Sequence, residues 1–409
     1  MAADRTPSAP HPLAPHPFDA HPFDARTRFD LDRPTSRKWS LHPGHIGAWV
    51  AEMDFGVAPE ITAAMHRAID EETLGYLSPP LAAELGEATA DWMREEYDWS
   101  VDPDFVHPVS DVMAALRVAV EEYAPEGSAV IVPTPAYMPF LTYLPTIGHP
   151  VIEVPGIEVD DGAGGVRWHH DLQRIDEAFA AGARTLVLCN PHNPTGTIAD
   201  RKELEAIAEI VEKHGGRVFA DEIHAPLRFD GRPFVPYASV SEAAAAHSVT
   251  GTSASKAWNI PGLKAAQLVL SNDADQARYR RFGFSVQHGA STLGVVASTA
   301  AYRAGRPWLD GVLSYLSETR GVLAALVDEH LPGAVFRSPD ATYIGWIDAA
   351  ALGLGDSPAA FFRERAGVVL TEGALLGRGY EDFVRIVFAT PRPILREALA
   401  AMGESVRSR

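Results

Sequence analysis

Three short segments carry side chains whose types fit one chemistry: Asn190-Pro191-His192-Asn193-Pro194-Thr195-Gly196, Asp221-Glu222-Ile223-His224, and Ser253-Ala254-Ser255-Lys256. A lysine amine can form a Schiff base with an aldehyde cofactor. A buried carboxylate can keep a pyridine nitrogen protonated, and an amide and an imidazole can hold a phenolic oxygen. Together these are what an enzyme using pyridoxal 5'-phosphate (PLP) needs. Lys256 is then the covalent anchor and the base for an α-proton. Asp221 is the partner of the pyridinium, and Asn193 and His224 contact the phenolic oxygen. For Asn193 the competing reading is plain turn chemistry, and for Asp221 a helix cap.

Other positions complete such a site. Ser110-Asp111 precedes the apolar run Val112-Met113-Ala114-Ala115-Leu116. The amides of Val112 and Met113 at a helix start suit a phosphate, although Ser110-Asp111 reads equally as an ordinary helix cap. Ser253 and Ser255 can add hydroxyls and Lys264 a charge. Tyr137, after Pro133-Thr134-Pro135-Ala136, can stack on a pyridine ring and protonate a leaving group. Arg385 interrupts the apolar run Phe383 to Phe388, and a charge there needs a partner. Either a substrate carboxylate gripped by a bidentate fork or an internal salt bridge would serve. With PLP as the one cofactor expected, no metal site is expected: His169 and His170 are adjacent and cannot readily share one ion on a strand.

The elements that must position these residues alternate strand and helix. Ala129 to Val132, Thr185 to Cys189, Arg217 to Ala220, Val249 to Thr252 and Gln267 to Leu270 read as strands. Pro59 to Glu72, Leu81 to Tyr97 and Asp200 to His214 read as helices, the last stopped by Gly215-Gly216. The pattern predicts an α/β fold whose large domain has a mostly parallel sheet covered by helices on both faces. Chemistry collects at the carboxyl ends of such strands, and Asn190, Asp221 and Ser253 each follow a strand directly. After about residue 300 a long helix over Trp308 to Leu331 and strands at Tyr343 to Asp348 and Phe383 to Phe388 indicate a smaller α+β domain. The expected division is a flexible tail over 1–28, a small domain from 29–58 with 300–409, and a large cofactor-binding domain over 59–299.

The tail is rich in Pro and His, and His-Pro-Phe-Asp-Ala occurs at 16–20 and again at 21–25. The recurrence of His11, His16 and His21 reads as local duplication rather than a metal site, since no acidic or Cys ligands accompany it. The 409 residues are 46% hydrophobic and 22% charged with a net charge of -19, ordinary for a globular enzyme. Without a basic block, nucleic acid and anionic membranes are poor partners. The one cysteine, Cys189, reads as a buried strand thiol. No apolar run reaches membrane-spanning length and no signal-peptide pattern opens the chain, so a cytoplasmic location is expected.

These motifs resemble the fold-type I PLP enzymes of the class I/II aminotransferase superfamily from about Phe29 onward. Trp49-Val50-Ala51-Glu52-Met53-Asp54-Phe55 and Asp221-Glu222-Ile223-His224 are similar to the cystathionine β-lyase-like C–S lyases, the MalY/PatB group. The segments Asn259 to Leu263, Ala341 to Tyr343 with Trp346 to Asp348, and Phe388 to Arg392 fit as well. The resemblance implies the same roles for Lys256, Asp221, Asn193, His224, Tyr137 and Arg385. It also implies that Tyr76 reaches the phosphate of a neighbouring subunit, hence a homodimer with shared active sites. Three positions depart from the pattern: Lys264 stands where many relatives carry Arg, Glu52 where Asp is common, and Asp111 where a Gly is frequent.

The implied reaction is β-elimination from an S-substituted cysteine of the cystathionine kind, giving thiol, pyruvate and ammonia. Two alternatives share its first steps. One is an aminotransferase, and the other is a specialised lyase or decarboxylating deaminase acting on an S-cysteinyl conjugate. A PLP-sensing regulator would need a basic helix-turn-helix domain that the residues before Phe29 do not form.

Overall fold

The computed structural model describes residues 21–160 and 166–409. The first His-Pro-Phe-Asp-Ala copy, with His11 and His16, lies outside the described residues. Seven strands form the central sheet: β1 (Val106–Val109), β2 (Val130–Thr134), β3 (Val151–Pro155), β4 (Thr185–Cys189), β5 (Arg217–Asp221), β6 (Ser248–Thr252) and β7 (Ala266–Leu270). Their spatial order is β1-β7-β6-β5-β4-β2-β3. The run from β3 to β6 is parallel, and β7 lies antiparallel to β6 and β1. Strands β1, β2, β4, β6 and β7 are buried along their whole length, which suits β-branched runs covered on both faces.

Among the helices are α1 (Pro59–Asp70), α2 (Pro79–Tyr97), α3 (Val112–Tyr123), α4 (Arg201–Lys213), α5 (Thr292–Ala304), α6 (Arg306–His330), α7 (Pro358–Ala366) and α8 (Arg392–Arg407). Helix α3 buries Val112, Ala115, Leu116, Ala119, Val120 and Tyr123, a helical stripe, and packs on β5, β6 and β7. Helix α4 starts where Asp200 Oδ1 accepts the Glu203 amide at 2.9 Å and stops before Gly215, whose φ is +58°.

A second, antiparallel sheet is built from β8 (Val335–Phe336), β9 (Ile344–Asp348), β10 (Thr371–Glu372) and β11 (Phe383–Val387), in the order β8-β9-β11-β10. Helices α6 and α8 pack together beside it. Chain from before α1 joins this lobe, since Ile46–Gly47 pairs in parallel with Val368–Val369.

Residues 21–28 correct the expectation of a flexible tail reaching to residue 28. Phe23 stacks on Phe55 with ring centroids 4.7 Å apart and meets Tyr315 edge-on at 5.5 Å. Asp24 bonds the Tyr315 hydroxyl and accepts the Arg392 amide at 2.9 Å. Arg26 donates to the Asp54 carbonyl at 3.2 Å. The second copy of the repeat is therefore docked on the small lobe. A further element unread in the sequence is the hairpin Ile157–Asp160 with Val166–His169.

Candidate active site

Register brings the sequence segments together. Cys189 of β4 lies beside Asp221 of β5, which lies beside Gly251 of β6. The Asn190 turn, Asp221 and the Ser253–Lys256 segment thus leave three adjacent parallel strands at one level. The segment Trp49–Phe55 crosses from the small lobe over this edge. Lys256 Nζ donates to the Ala51 carbonyl at 3.2 Å, and the Tyr343 hydroxyl donates to the same oxygen at 3.0 Å. Asn259 grips Met53 in both directions, at 2.8 Å each way.

Burial tunes the charged groups. The Asp221 carboxyl is pushed up to about 7 by desolvation, against bonding from the Ile223 amide and the nearby Lys256 charge. Among the described residues only that amide, at 3.1 Å, bonds it. The Lys256 amine is lowered to about 8 by burial and then by Arg385. His224 is held down at about 3 by burial, with Lys256 and Arg385 adding to it, so its ring is neutral. Its Nδ1 is buried without a partner among the described residues. Tyr137 is half-buried and raised by burial, so its hydroxyl keeps its proton through neutral pH.

Arg385 lies inside β11. It is 3% exposed. Its Nη1 donates to Asn193 Oδ1 at 3.2 Å, and its Nη2 donates to the Trp49 carbonyl at 3.1 Å and to Thr371 Oγ1 at 3.3 Å. Among the described residues it forms no salt bridge, and Nε has no partner. Burial lowers it to about 10. A buried guanidinium without a carboxylate is costly unless an anion arrives from outside the chain.

Ser253 is buried, and its hydroxyl donates to the Ala265 carbonyl at 2.8 Å and accepts the Ser255 amide at 3.0 Å. These bonds hold the turn before Lys256. Ser255 is half-buried and retains its hydroxyl. Asp111 caps α3 through the Ala114 amide at 2.9 Å and pairs with Lys264 at 3.0 Å. The cap reading of Asp111 therefore holds, and the Lys264 charge meets Asp111 at the same helix start as Val112 and Met113. Tyr76 stands apart from the other site residues, 86% exposed and 5.0 Å from the His288 ring.

Sequence reasoning gave no role to four contributors: Tyr343, Thr371 and the carbonyls of Trp49 and Ala51. Asp54, from the same Trp49–Phe55 motif, faces away from the chemistry. It is buried against Lys38 at 2.7 Å and Trp39 Nε1 at 3.0 Å. Cys189 is buried and raised well above its ordinary value by desolvation. Among the described residues no group of three or more His, Cys, Asp or Glu could hold a metal ion, and no helix is long and apolar enough to cross a membrane.

The residues fit PLP. A buried carboxylate that makes no salt bridge among the described residues, a neutral imidazole with a ring nitrogen unbonded among them, and a depressed lysine amine converge on one strand edge, next to a helix start. A model of the family described as aminotransferase class I and II matches residues 50–402. A cystathionine beta-lyase of Corynebacterium glutamicum is 36% identical over 90% of this chain and 96% of its own. The cystathionine beta-lyase PatB of Bacillus subtilis is 33% identical over 87% and 92%. The structure of cystalysin from Treponema denticola, which contains PLP, superposes with a TM-score of 0.86 at 27% identity, covering 94% of this chain and 99% of that one.

Proposed function

The chain belongs to the class I and II aminotransferase family, and from that premise we propose that it is a PLP-dependent carbon–sulfur β-lyase. It cleaves an S-substituted cysteine of the cystathionine kind to a thiol, pyruvate and ammonia. The observation that carries this reading is the likeness to the Corynebacterium cystathionine beta-lyase over nine-tenths of the chain. The buried, carboxylate-free Arg385 supports it, because it suits the α-carboxylate of an amino acid.

When bound, PLP withdraws the electrons left behind by the α-proton. Lys256 holds the cofactor covalently and, once released, takes that proton. An amine lowered to about 8 has an accessible neutral form near physiological pH. Asp221, forced up by burial while it lacks a cation, gains most from a pyridinium beside it. His224 is neutral and donates a hydrogen bond to an oxygen without adding charge. Asn193 and Arg385, already bonded to each other, fix the carboxylate end. Tyr137, still protonated, can donate to the departing sulfur, as can the protonated Lys256. The amides of Val112 and Met113 with Ser255 suit the phosphate.

The reading extends to a homodimer in the cytoplasm. Tyr76, Leu74 and Phe284 are strongly exposed apolar side chains, which suits burial against a second copy. Tyr76 from one subunit then completes the phosphate site of its partner.

The test is release of pyruvate and free thiol from L-cystathionine by the PLP-loaded protein, with Lys256→Ala as blank. Equal amounts of both products, absent with the variant, are expected. Conversion of the cofactor to its amine form without pyruvate would replace elimination by transamination.

A further inference from the structure

Beside the site lies a cleft of about 1160 Å³ between the lobes that the reaction does not use. Its walls are half-buried aromatic rings: Trp168 from the large lobe, and Trp346, Tyr380 and Phe383 from the small one. Trp346 and Phe383 stack at 4.9 Å and 12°, and Tyr380 meets them edge-on at 5.9 and 5.7 Å. Trp168 is itself stacked on His192, so a ligand ring meets these walls at the faces and edges that those pairs leave uncovered.

The charge at the rim is mixed, with Arg167, Arg232 and Arg337 against Glu158, Asp200, Asp340 and Asp348, and a place for an anion exists locally at Arg337. Arg167 and Arg232 both pair with Asp340, at 2.7 and 3.1 Å, so two guanidiniums share one carboxylate. Arg337 lines the cleft and has no acidic partner among the described residues. Of the acids there, Asp200 and Asp348 each accept a backbone amide at 2.9 Å, and Glu158 stands exposed at the edge.

The cleft shares its walls with the carboxylate contacts. Trp346 is the cross-strand neighbour of Arg385 and so stands on the same sheet face, and Phe383, two residues from Arg385, follows on that face. Trp168 stacks at 3.9 Å on His192, the residue before Asn193. Thr195 lines the cleft, and the Gly196 carbonyl accepts the amides of Asp340 and Ala341 at 3.0 Å each.

We propose that this cleft binds a planar aromatic anion, the ring lying between the Trp168 wall and the Trp346–Phe383 pair and the anion meeting Arg337. The ring can arrive as a free molecule or as the aryl substituent of a cysteine conjugate. The second source rests on the β-lyase reading, whereas binding itself does not.

Isothermal titration calorimetry of the PLP-loaded protein with 2-naphthoate tests binding without turnover. Saturable binding is expected, weakened at least tenfold in Tyr380→Ala and at least threefold in Arg337→Ala, with the cofactor spectrum unchanged. Arg337 is exposed, so its variant keeps the test meaningful if Tyr380→Ala misfolds. Pyruvate assays then assign the source. A KM for S-(4-carboxyphenyl)-L-cysteine raised by Arg337→Ala, with S-methyl-L-cysteine unaffected, identifies the ring as the substrate's own. An unaffected KM for both, with naphthoate binding weakened, identifies a separate ligand. No saturable heat, or one Kd for all three proteins, overturns the proposal.

Discussion

Lys38 and Arg385 are both buried cations of the small lobe, 1% and 3% exposed, and the chain treats them in opposite ways. Lys38 lies 2.7 Å from Asp54, and its Nζ also donates to the Glu52 carbonyl at 3.2 Å. Arg385 has an amide oxygen, a carbonyl and a hydroxyl, but no carboxylate among the described residues. A buried charge whose partner the fold supplies is architecture. One whose partner is withheld is a binding site for the missing counter-charge. Asp221 repeats the second case with the opposite sign, waiting for a cation.

The first way to break this comparison is to orphan the paired cation's partner. Lys38→Met leaves Asp54 buried without its cation and is expected to cost about 3–5 kcal/mol in urea unfolding. Lys38→Met/Asp54→Leu should recover most of that loss, and kcat/KM of the folded double variant should stay close to that of the parent. A large loss of activity in the double variant would move this pair into the site.

The second prediction uses pH on cofactor-free protein. The Asp221 carboxyl binds its proton more tightly in the folded chain, at about 7 against the ordinary 3.8. Its contribution to stability is therefore fully present below about pH 4 and lost as pH rises through 7, on the order of 4 kcal/mol. Asp221→Asn should remove this loss, read as the difference between the two pH profiles. PLP should flatten the wild-type profile by supplying the cation. Parallel profiles for the two proteins would contradict the assignment.

A smaller effect is expected from Arg385→Leu without substrate. Removing a buried charge that lacks a counter-ion should leave stability unchanged or raise it by about 1–2 kcal/mol, the reverse of Lys38→Met. A loss comparable to that of Lys38→Met would mean that Arg385 is structural.

Much of this was legible in the sequence, for physical reasons that differ by element. Thr185–Cys189 and Ser248–Thr252 are wholly buried strands, and their apolar, β-branched runs show it. Asn190, Asp221 and Ser253 are legible because polar residues directly after such runs must emerge at the sheet edge, and Lys256 follows Ser253 by three residues. Strand Val106–Val109 was missed because His107 and Pro108 break its pattern. The docking of Phe23 was missed because Phe55, Trp308 and Tyr315 are brought to it only by the fold. Carbonyl contacts such as that of Ala51 leave no mark in side-chain types.

The most direct measurement compares S-methyl-L-cysteine with its α-carboxamide as substrates for wild-type protein and Arg385→Ala. If Arg385 waits for the carboxylate, the wild type should prefer the acid by about a hundredfold in kcat/KM, and the variant should lose nearly all of that preference. The same preference in both proteins would contradict the account, because the carboxylate would then be held elsewhere.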